Sequence, residues 1–189
     1  MTEQWRCFVA VPLGASLRSA LAEAVDAWRG QPPADGLRWA DPGGWHLTLA
    51  FIGSIPVGSV ADVSRAVGEV AATHRATRVE TGRLGVFHRA GSVRTLWYGV
   101  SDPDGVLSAL AGDLARALGL PGDEPYRPHV TLARARQRPV DLRGWIEPAS
   151  LGTPAGQLEV EAVHLLRSHL GTGPARYETL ASFALGGAP

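Results

Sequence analysis

The sequence predicts an α+β fold of two lobes related by a pseudo-twofold repeat, and three observations carry that prediction. Segments of period-two apolar alternation are mixed with segments of helical spacing. The order strand, helix, His-x-Thr-x strand occurs twice, as residues 5–11, 16–28 and the strand opening at His46, then as residues 93–100, 106–118 and the strand opening at His129. The final third reads as an antiparallel pair, 158–168 and 177–185, around Gly171-Thr-Gly173. A pseudo-twofold arrangement of the two halves would bring the two His-x-Thr-x strands together at a central cleft.

Each element has a local reason. Residues 5–11 alternate Trp5, Cys7, Val9, Val11 with Arg6, Phe8, Ala10, an interior strand ended by Pro12 and Gly14. Residues 16–28 place Leu17, Leu21, Ala24, Val25 and Trp28 on one helical stripe, with Gly30 as the stop. A Pro/Gly loop follows, then a short strand at 37–40 and turn chemistry in Asp41-Pro-Gly-Gly44. The first motif strand ends at Gly53. Val60, Val63, Val67, Val70 and Ala71 mark a helix over 60–72, and a weak strand over 78–84 leads to Gly85-Val-Phe-His88. Residues 93–100 are β-branched and aromatic between Gly91 and Asp102-Pro-Asp-Gly105. Leu107, Leu110, Leu114 and Leu118 predict a helix over 106–118, and the loop 121–128 enters the second motif strand. Residues 139–156 read as irregular, with one helical turn near Trp145.

Composition narrows the function classes. A chain of 189 residues suits one bilobal domain over 1–189, and 18 basic residues against 18 acidic ones leave no global field for a polyanion. Every basic residue is Arg. One cysteine, Cys7, excludes an intrachain disulfide and sits in an apolar run as an inert thiol. The N-terminus lacks a signal-peptide pattern and no apolar run approaches the ~20 residues of a membrane span, so the cytoplasm is the expected location.

The chemistry concentrates in Trp45-His46-Leu47-Thr48-Leu49-Ala50-Phe51 and Pro128-His129-Val130-Thr131-Leu132-Ala133-Arg134. On a strand His46 and Thr48 share one face, as do His129 and Thr131, while the apolar residues between them anchor the other. If the two faces meet, the site holds two imidazoles and two hydroxyls. One neutral and one protonated imidazole are what an in-line displacement at phosphorus needs, a base for the attacking oxygen and an acid for the departing one. Thr48 and Thr131 are suited to hydrogen-bond the non-bridging oxygens. Zinc is the rival use of two histidines, but neither motif carries an Asp or Glu, so no metal or other cofactor is expected.

These residues resemble the two-histidine (2H) phosphoesterase superfamily, and within it the bacterial and archaeal RNA 2′,3′-cyclic phosphodiesterases, also called 2′-5′ RNA ligases. The likeness runs through Arg6-Cys-Phe-Val-Ala-Val-Pro12, Leu37-Arg-Trp39, both motifs, Arg94-Thr-Leu-Trp-Tyr-Gly99, and Leu166-Arg-Ser168 with Gly173 and Tyr177-Glu-Thr-Leu180. The resemblance implies two antiparallel sheets forming a V-shaped cleft, with helices on the outer faces. It implies metal-independent opening of a terminal 2′,3′-cyclic phosphate to a 2′-phosphomonoester, with His46 as proton donor and His129 as proton acceptor; the two motifs alone do not order these roles. The expected partners are RNA ends or nucleotides carrying a cyclic phosphate, no membrane, and the chain acts as a monomer. Small cyclic nucleotides, 2′-5′ ligation and non-catalytic binding of RNA ends are the alternatives.

Around the motifs, Arg127, Arg134, Arg136, Arg138 and Arg143 face only Asp141 and form a candidate phosphate patch. Arg134 and Arg127 are its substrate-binding candidates, although strict alternation turns Arg134 away from His129. Trp39, Trp45, Phe51 and Tyr126 are candidates for stacking a base, with core or rim packing the plainer role for each; alternation puts Phe51 opposite His46. His74, His88, His164 and His169 lack a partner motif.

Overall fold

Strand β1 (Gln4–Pro12) stops at a proline that has no N–H to continue a ladder, and the chain turns through Gly14 into helix α1 (Ala15–Trp28). The computed structural model describes residues 3–89, 92–121, 125–136, 140–169 and 175–186. Within them the chain continues through β2 (Leu37–Trp39), β3 (His46–Pro56), α2 (Val60–Thr73), β4 (Thr77–Arg89), β5 (Ser92–Val100), α3 (Val106–Ala117), β6 (His129–Ala135), α4 (Ile146–Leu151), β7 (Gly156–Val160), β8 (Ala162–His169) and β9 (Arg176–Ala184). The expected apolar stripes are buried: Leu17, Leu21, Val25 and Trp28 on α1, and Leu107, Leu110 and Leu114 on α3. Gly105 adopts a left-handed φ of 70° before α3, and Asp102 caps the helix, its carboxylate accepting from the amides of Leu107 and Ser108 at 2.9 Å each.

The strands form one strongly curled antiparallel sheet in the order β7-β4-β5-β6-β3-β1-β8-β9, with β2 added on β6. It divides into two lobes, β7-β4-β5-β6 with β2 and β3-β1-β8-β9, because β6 and β3 share a single register pair, Leu47 with Val130. The motif strands are therefore the innermost strands of the two lobes. Tyr126, in the loop before β6, reinforces this thin seam by donating its hydroxyl to the Thr48 carbonyl at 2.8 Å.

Helices α2 and α3 pack beneath the β3-β1-β8-β9 lobe, and α1 and α4 beneath the other. Thus α1, which follows a strand of one lobe, covers the sheet of the other, and α3 does the reverse. The main core lies between the helices and the sheet; a small cluster of Phe8, Ala10 and Leu166 occupies the opposite, concave face. Among the described residues no helix is long and apolar enough to cross a membrane.

Three expectations need correction. The first motif strand does not end at Gly53 but runs on to Pro56, paired with β1 throughout. The weak strand over 78–84 and the segment after it are one strand, β4, running straight through Gly85. The reason is steric: a Cβ there meets the Trp97 ring at 2.1 Å, so glycine makes room for an indole instead of ending the strand. The expected strand 158–168 breaks at Glu161. Its first part, β7, pairs with β4 at one sheet edge, and its second, β8, pairs with β1 and β9 in the other lobe. The buried positions change phase there, from Leu158 and Val160 to Val163 and Leu165, and the Ala162-Val163 doublet is the only local sign of the break. The helical turn expected near Trp145 is α4, and the expected Gly171-Thr-Gly173 turn lies outside the described residues.

Candidate active site

The seam sets the geometry of the site. In an antiparallel pair anchored at Leu47 and Val130, Thr48 lies opposite His129 and Thr131 opposite His46. The two histidines are then diagonal neighbours, a relation that spaces side chains about 7–8 Å apart, wide enough for a tetrahedral anion. Leu47 and Val130 are 0% and 1% exposed and fix the strands to the core, whereas His46, Thr48, His129 and Thr131 are all half-buried on the concave face. The sequence-derived pairing of these four residues is thus realised in the fold.

Both rings are held in the same way. His46 Nδ1 lies 2.7 Å from the Gly44 carbonyl, and His129 Nδ1 lies 2.7 Å from the Arg127 carbonyl. A carbonyl only accepts, so Nδ1 carries the hydrogen in each ring and Nε2 is left as the nitrogen that gains or loses a proton. Aromatic rings fix the imidazole planes. Phe8 and the edge of Tyr177 pack on His46, with centroids at 4.8 and 5.0 Å. Phe87 and Trp97 pack on His129 at 4.8 and 6.2 Å.

Matching β-bulges extend the motifs. In β3 the register passes from Ala10–Thr48 to Val9–Ala50, leaving Leu49 extra; in β6 it passes from Trp97–Thr131 to Leu96–Ala133, leaving Leu132 extra. Leu49 and Ala50 both turn into the core, as do Leu132 and Ala133. Alternation then resumes one residue late, which corrects the expected orientation of the next residue in each motif. Phe51 and Arg134 point to the concave face, not away from it. Phe51 is 52% exposed and stacks on Phe8 at 6.5 Å, and Arg134 Nη1 reaches the Thr95 hydroxyl at 3.5 Å.

The electrostatics follow from this crowding. Burial pushes His46 below the ordinary histidine range; the bond to Gly44 works against that, and the charges of His129 and Arg134 add to it. Burial likewise lowers His129, opposed by the bond to Arg127 and assisted by Arg134. Arg134 therefore lies close enough to act on both rings.

The other candidates divide. Arg127 contributes a backbone carbonyl to the site, and its exposed side chain takes part in no ion pair among the described residues. Arg143 is engaged by Asp141, whose carboxyl it holds down at about 2, and so leaves the expected patch. Arg136 is exposed at the end of β6, and Arg138 lies outside the described residues. Of the stacking candidates, Trp45 is buried, Trp39 packs on Trp28, and Tyr126 is committed to Thr48; Phe51 is the exposed one, with the Arg6 guanidinium 4.6 Å from its ring centroid. His74 and His169 bond to Asp113 and Glu178, and His88 is exposed. His164 stands on the concave face two strands from Thr48, beyond Ala10, beside the Ser182 hydroxyl at 3.4 Å. Cys7 is fully buried and burial pushes its thiol up. Among the described residues no three His, Cys, Asp or Glu side chains gather as a metal ligand set.

Sequence reasoning missed Phe8, Phe87, Trp97 and Tyr177, because each reaches its histidine across the ladder. Only the parity of Phe8, opposite to Cys7 and Val9 on β1, marked it for the concave face.

A family model described as the 2′-5′ RNA ligase superfamily matches residues 17–172. The chain is 32% identical over 192 residues to an RNA 2′,3′-cyclic phosphodiesterase of Geobacillus stearothermophilus, covering 96% of this chain and 58% of that protein, so it spans little more than half of that relative's length. It is 32% identical over 197 residues to an RNA 2′,3′-cyclic phosphodiesterase of Thermus thermophilus, covering 96% of this chain and 91% of the relative. The crystal structure of Escherichia coli LigT in apo form superposes with a TM-score of 0.75 at 25% identity, covering 98% of this chain and all of that one. With the match running through both motif strands and all four helices, the chain belongs to the 2′-5′ RNA ligase superfamily of two-histidine phosphoesterases.

Proposed function

We propose that this protein is an RNA 2′,3′-cyclic phosphodiesterase, a phosphoric diester hydrolase that opens a terminal 2′,3′-cyclic phosphate to a 2′-phosphomonoester without a metal. The observation that carries this is the equivalent mounting of the two histidines, each with Nδ1 spent on a carbonyl at 2.7 Å and Nε2 free for proton transfer. Sequence relatives that bear the same activity in their names support it.

In the proposed reaction a water oxygen attacks phosphorus and gives its proton to His129 Nε2. The bond from phosphorus to the 3′ oxygen breaks, and that oxygen takes the proton of His46 Nε2. Thr48 and Thr131 donate to the non-bridging oxygens, and Arg134 balances their charge. Solvent exchange returns the two rings to their starting states. The roles of the histidines follow the family resemblance. The interleaved helices support residues 1–189 acting as one bilobal domain, taken here as a cytoplasmic monomer.

The test is an oligoribonucleotide ending in a 2′,3′-cyclic phosphate, followed by phosphorus NMR with EDTA present. The expected product is the 2′-phosphomonoester, with His46→Ala and His129→Ala each losing about 10²–10⁴ in kcat/KM. No opening by the wild type, or undiminished opening by either variant, refutes the proposal; a 3′-phosphate product refutes the leaving-group assignment.

A further inference from the structure

Two arginines are direct cross-strand partners on β2 and β6, on the concave side. Arg38 is the direct cross-strand partner of Arg134, which has Thr95 as its partner on the other flank. The face of Arg38 is fixed twice, by this pairing and by its neighbours, since Leu37 is fully buried and Trp39 packs on Trp28 in the core. Directly opposed like charges destabilise a sheet. Neither Arg38 nor Arg134 takes part in an ion pair among the described residues, whereas Arg29, Arg65, Arg78, Arg116, Arg143 and Arg167 all do. Both side chains are exposed. An uncompensated arginine pair is a site for an anion, and guanidinium geometry suits phosphate oxygens.

Its position says which phosphate. Arg134 acts on both histidines, so it borders the reacting group; Arg38 stands one strand further out along the same row. A nucleotide whose cyclic phosphate sits at the histidines carries its other phosphate on the 5′ side of the same ribose. We propose that Arg38, with Arg134, binds this 5′ phosphate, so that the RNA strand leaves the histidines over β6 and β2 and a substrate carrying that phosphate is preferred over one ending in a 5′-hydroxyl. The inference rests on the phosphodiesterase activity proposed above and adds to it the direction of the strand.

The experiment compares kcat/KM for adenosine 2′,3′-cyclic phosphate with a 5′-hydroxyl and for the same nucleoside with a 5′-phosphate. Wild type is expected to prefer the 5′-phosphorylated substrate by about tenfold or more, as one charge-assisted contact provides. Arg38→Ala is expected to bring the ratio close to one, and Arg38→Lys to keep an intermediate ratio, because an ammonium retains the charge but not the fork. The salt dependence of kcat/KM on the 5′-phosphorylated substrate should flatten in Arg38→Ala by a slope of about 0.7. A wild-type ratio near one, or a preference that survives Arg38→Ala, overturns the 5′ site while leaving the phosphodiesterase proposal intact. Failure of the wild type to open either substrate or a cyclic RNA end removes both.

Discussion

Substituting alanine at Gly85 should disable the second histidine without touching it. A Cβ at this position meets Trp97 Cη2 and Cζ2 at 2.1 Å, while ordinary carbon contacts lie at about 3.5–4.0 Å, so the indole has to retreat by roughly 1.4 Å or more. Trp97 packs on His129 at 6.2 Å and on Phe87 at 5.5 Å, and Phe87 packs on the same histidine at 4.8 Å. The displacement therefore passes directly to the His129 ring. Overpacking of this kind costs about 1–3 kcal/mol of stability. An angstrom of misplacement at a reacting group costs on the order of 10² in rate. Gly82 supplies the control: it lies on the same strand, and a Cβ there meets nothing within 4 Å. The assay is kcat/KM on a cyclic-phosphate RNA end together with a thermal melt. Gly85→Ala should lose about 10² in kcat/KM and about 2–10 °C in Tm, and Gly82→Ala little of either. If Gly85→Ala stays within threefold of Gly82→Ala in rate and matches its melting temperature, Trp97 does not position His129.

The lowered histidines predict that the limbs of the kcat/KM profile of the free enzyme lie on the acid side of the ordinary value of about 6.5: the rate falls at higher pH as the acid is lost and at low pH as the second ring protonates. A maximum above pH 8 contradicts this. The same shifts mean that the unfolded chain binds more protons than the folded one between the two sets of values. The histidine contribution to stability is therefore full above about pH 6.5 and is lost as pH falls below it; urea melts of wild type and His46→Ala across pH 5–7 measure the difference. Tyr126→Phe removes the hydroxyl that bonds Thr48 across the seam, which should cost about 0.5–1.5 kcal/mol and speed hydrogen exchange at the Leu47–Val130 pair. Tyr98→Phe strands the Pro154 carbonyl, 2.7 Å from the buried hydroxyl, and takes a partner from Thr81 at 2.8 Å, a loss of about 1–3 kcal/mol by denaturant melt.

Much of this site was legible because local physics set it. His46, Thr48, His129 and Thr131 follow from period-two alternation over three residues, too short a distance for register to intervene. The orientation of Phe51 and Arg134 was not legible, because a bulge is a property of two strands and only one was in view. In retrospect both motifs carry the same Leu-Ala doublet, Leu49-Ala50 and Leu132-Ala133, where two successive residues suit the core; an apolar pair at matching places in a repeat is the trace a bulge leaves. The rings around the histidines come from β1, β4, β5 and β9, and their contacts depend on strand order. Arg38 was in plain sight within Leu37-Arg-Trp39, but its partner across the ladder lies 96 residues away in sequence.

The exchange of helices between the lobes also governs when the chain is able to fold. Helix α1 leaves the ribosome early, yet its stripe of Leu17, Leu21, Val25 and Trp28 meets partners made late, β7, which begins at residue 156 beside Leu17, and Trp145, which packs on Trp28. The first hundred residues hold two of the four main strands of each lobe, β1 and β3 of one and β4 and β5 of the other. Synthesis therefore runs nearly to its end with an uncovered apolar helix, and closure depends on contacts between distant parts of the chain, which makes assembly slow and the nascent protein a client for chaperones.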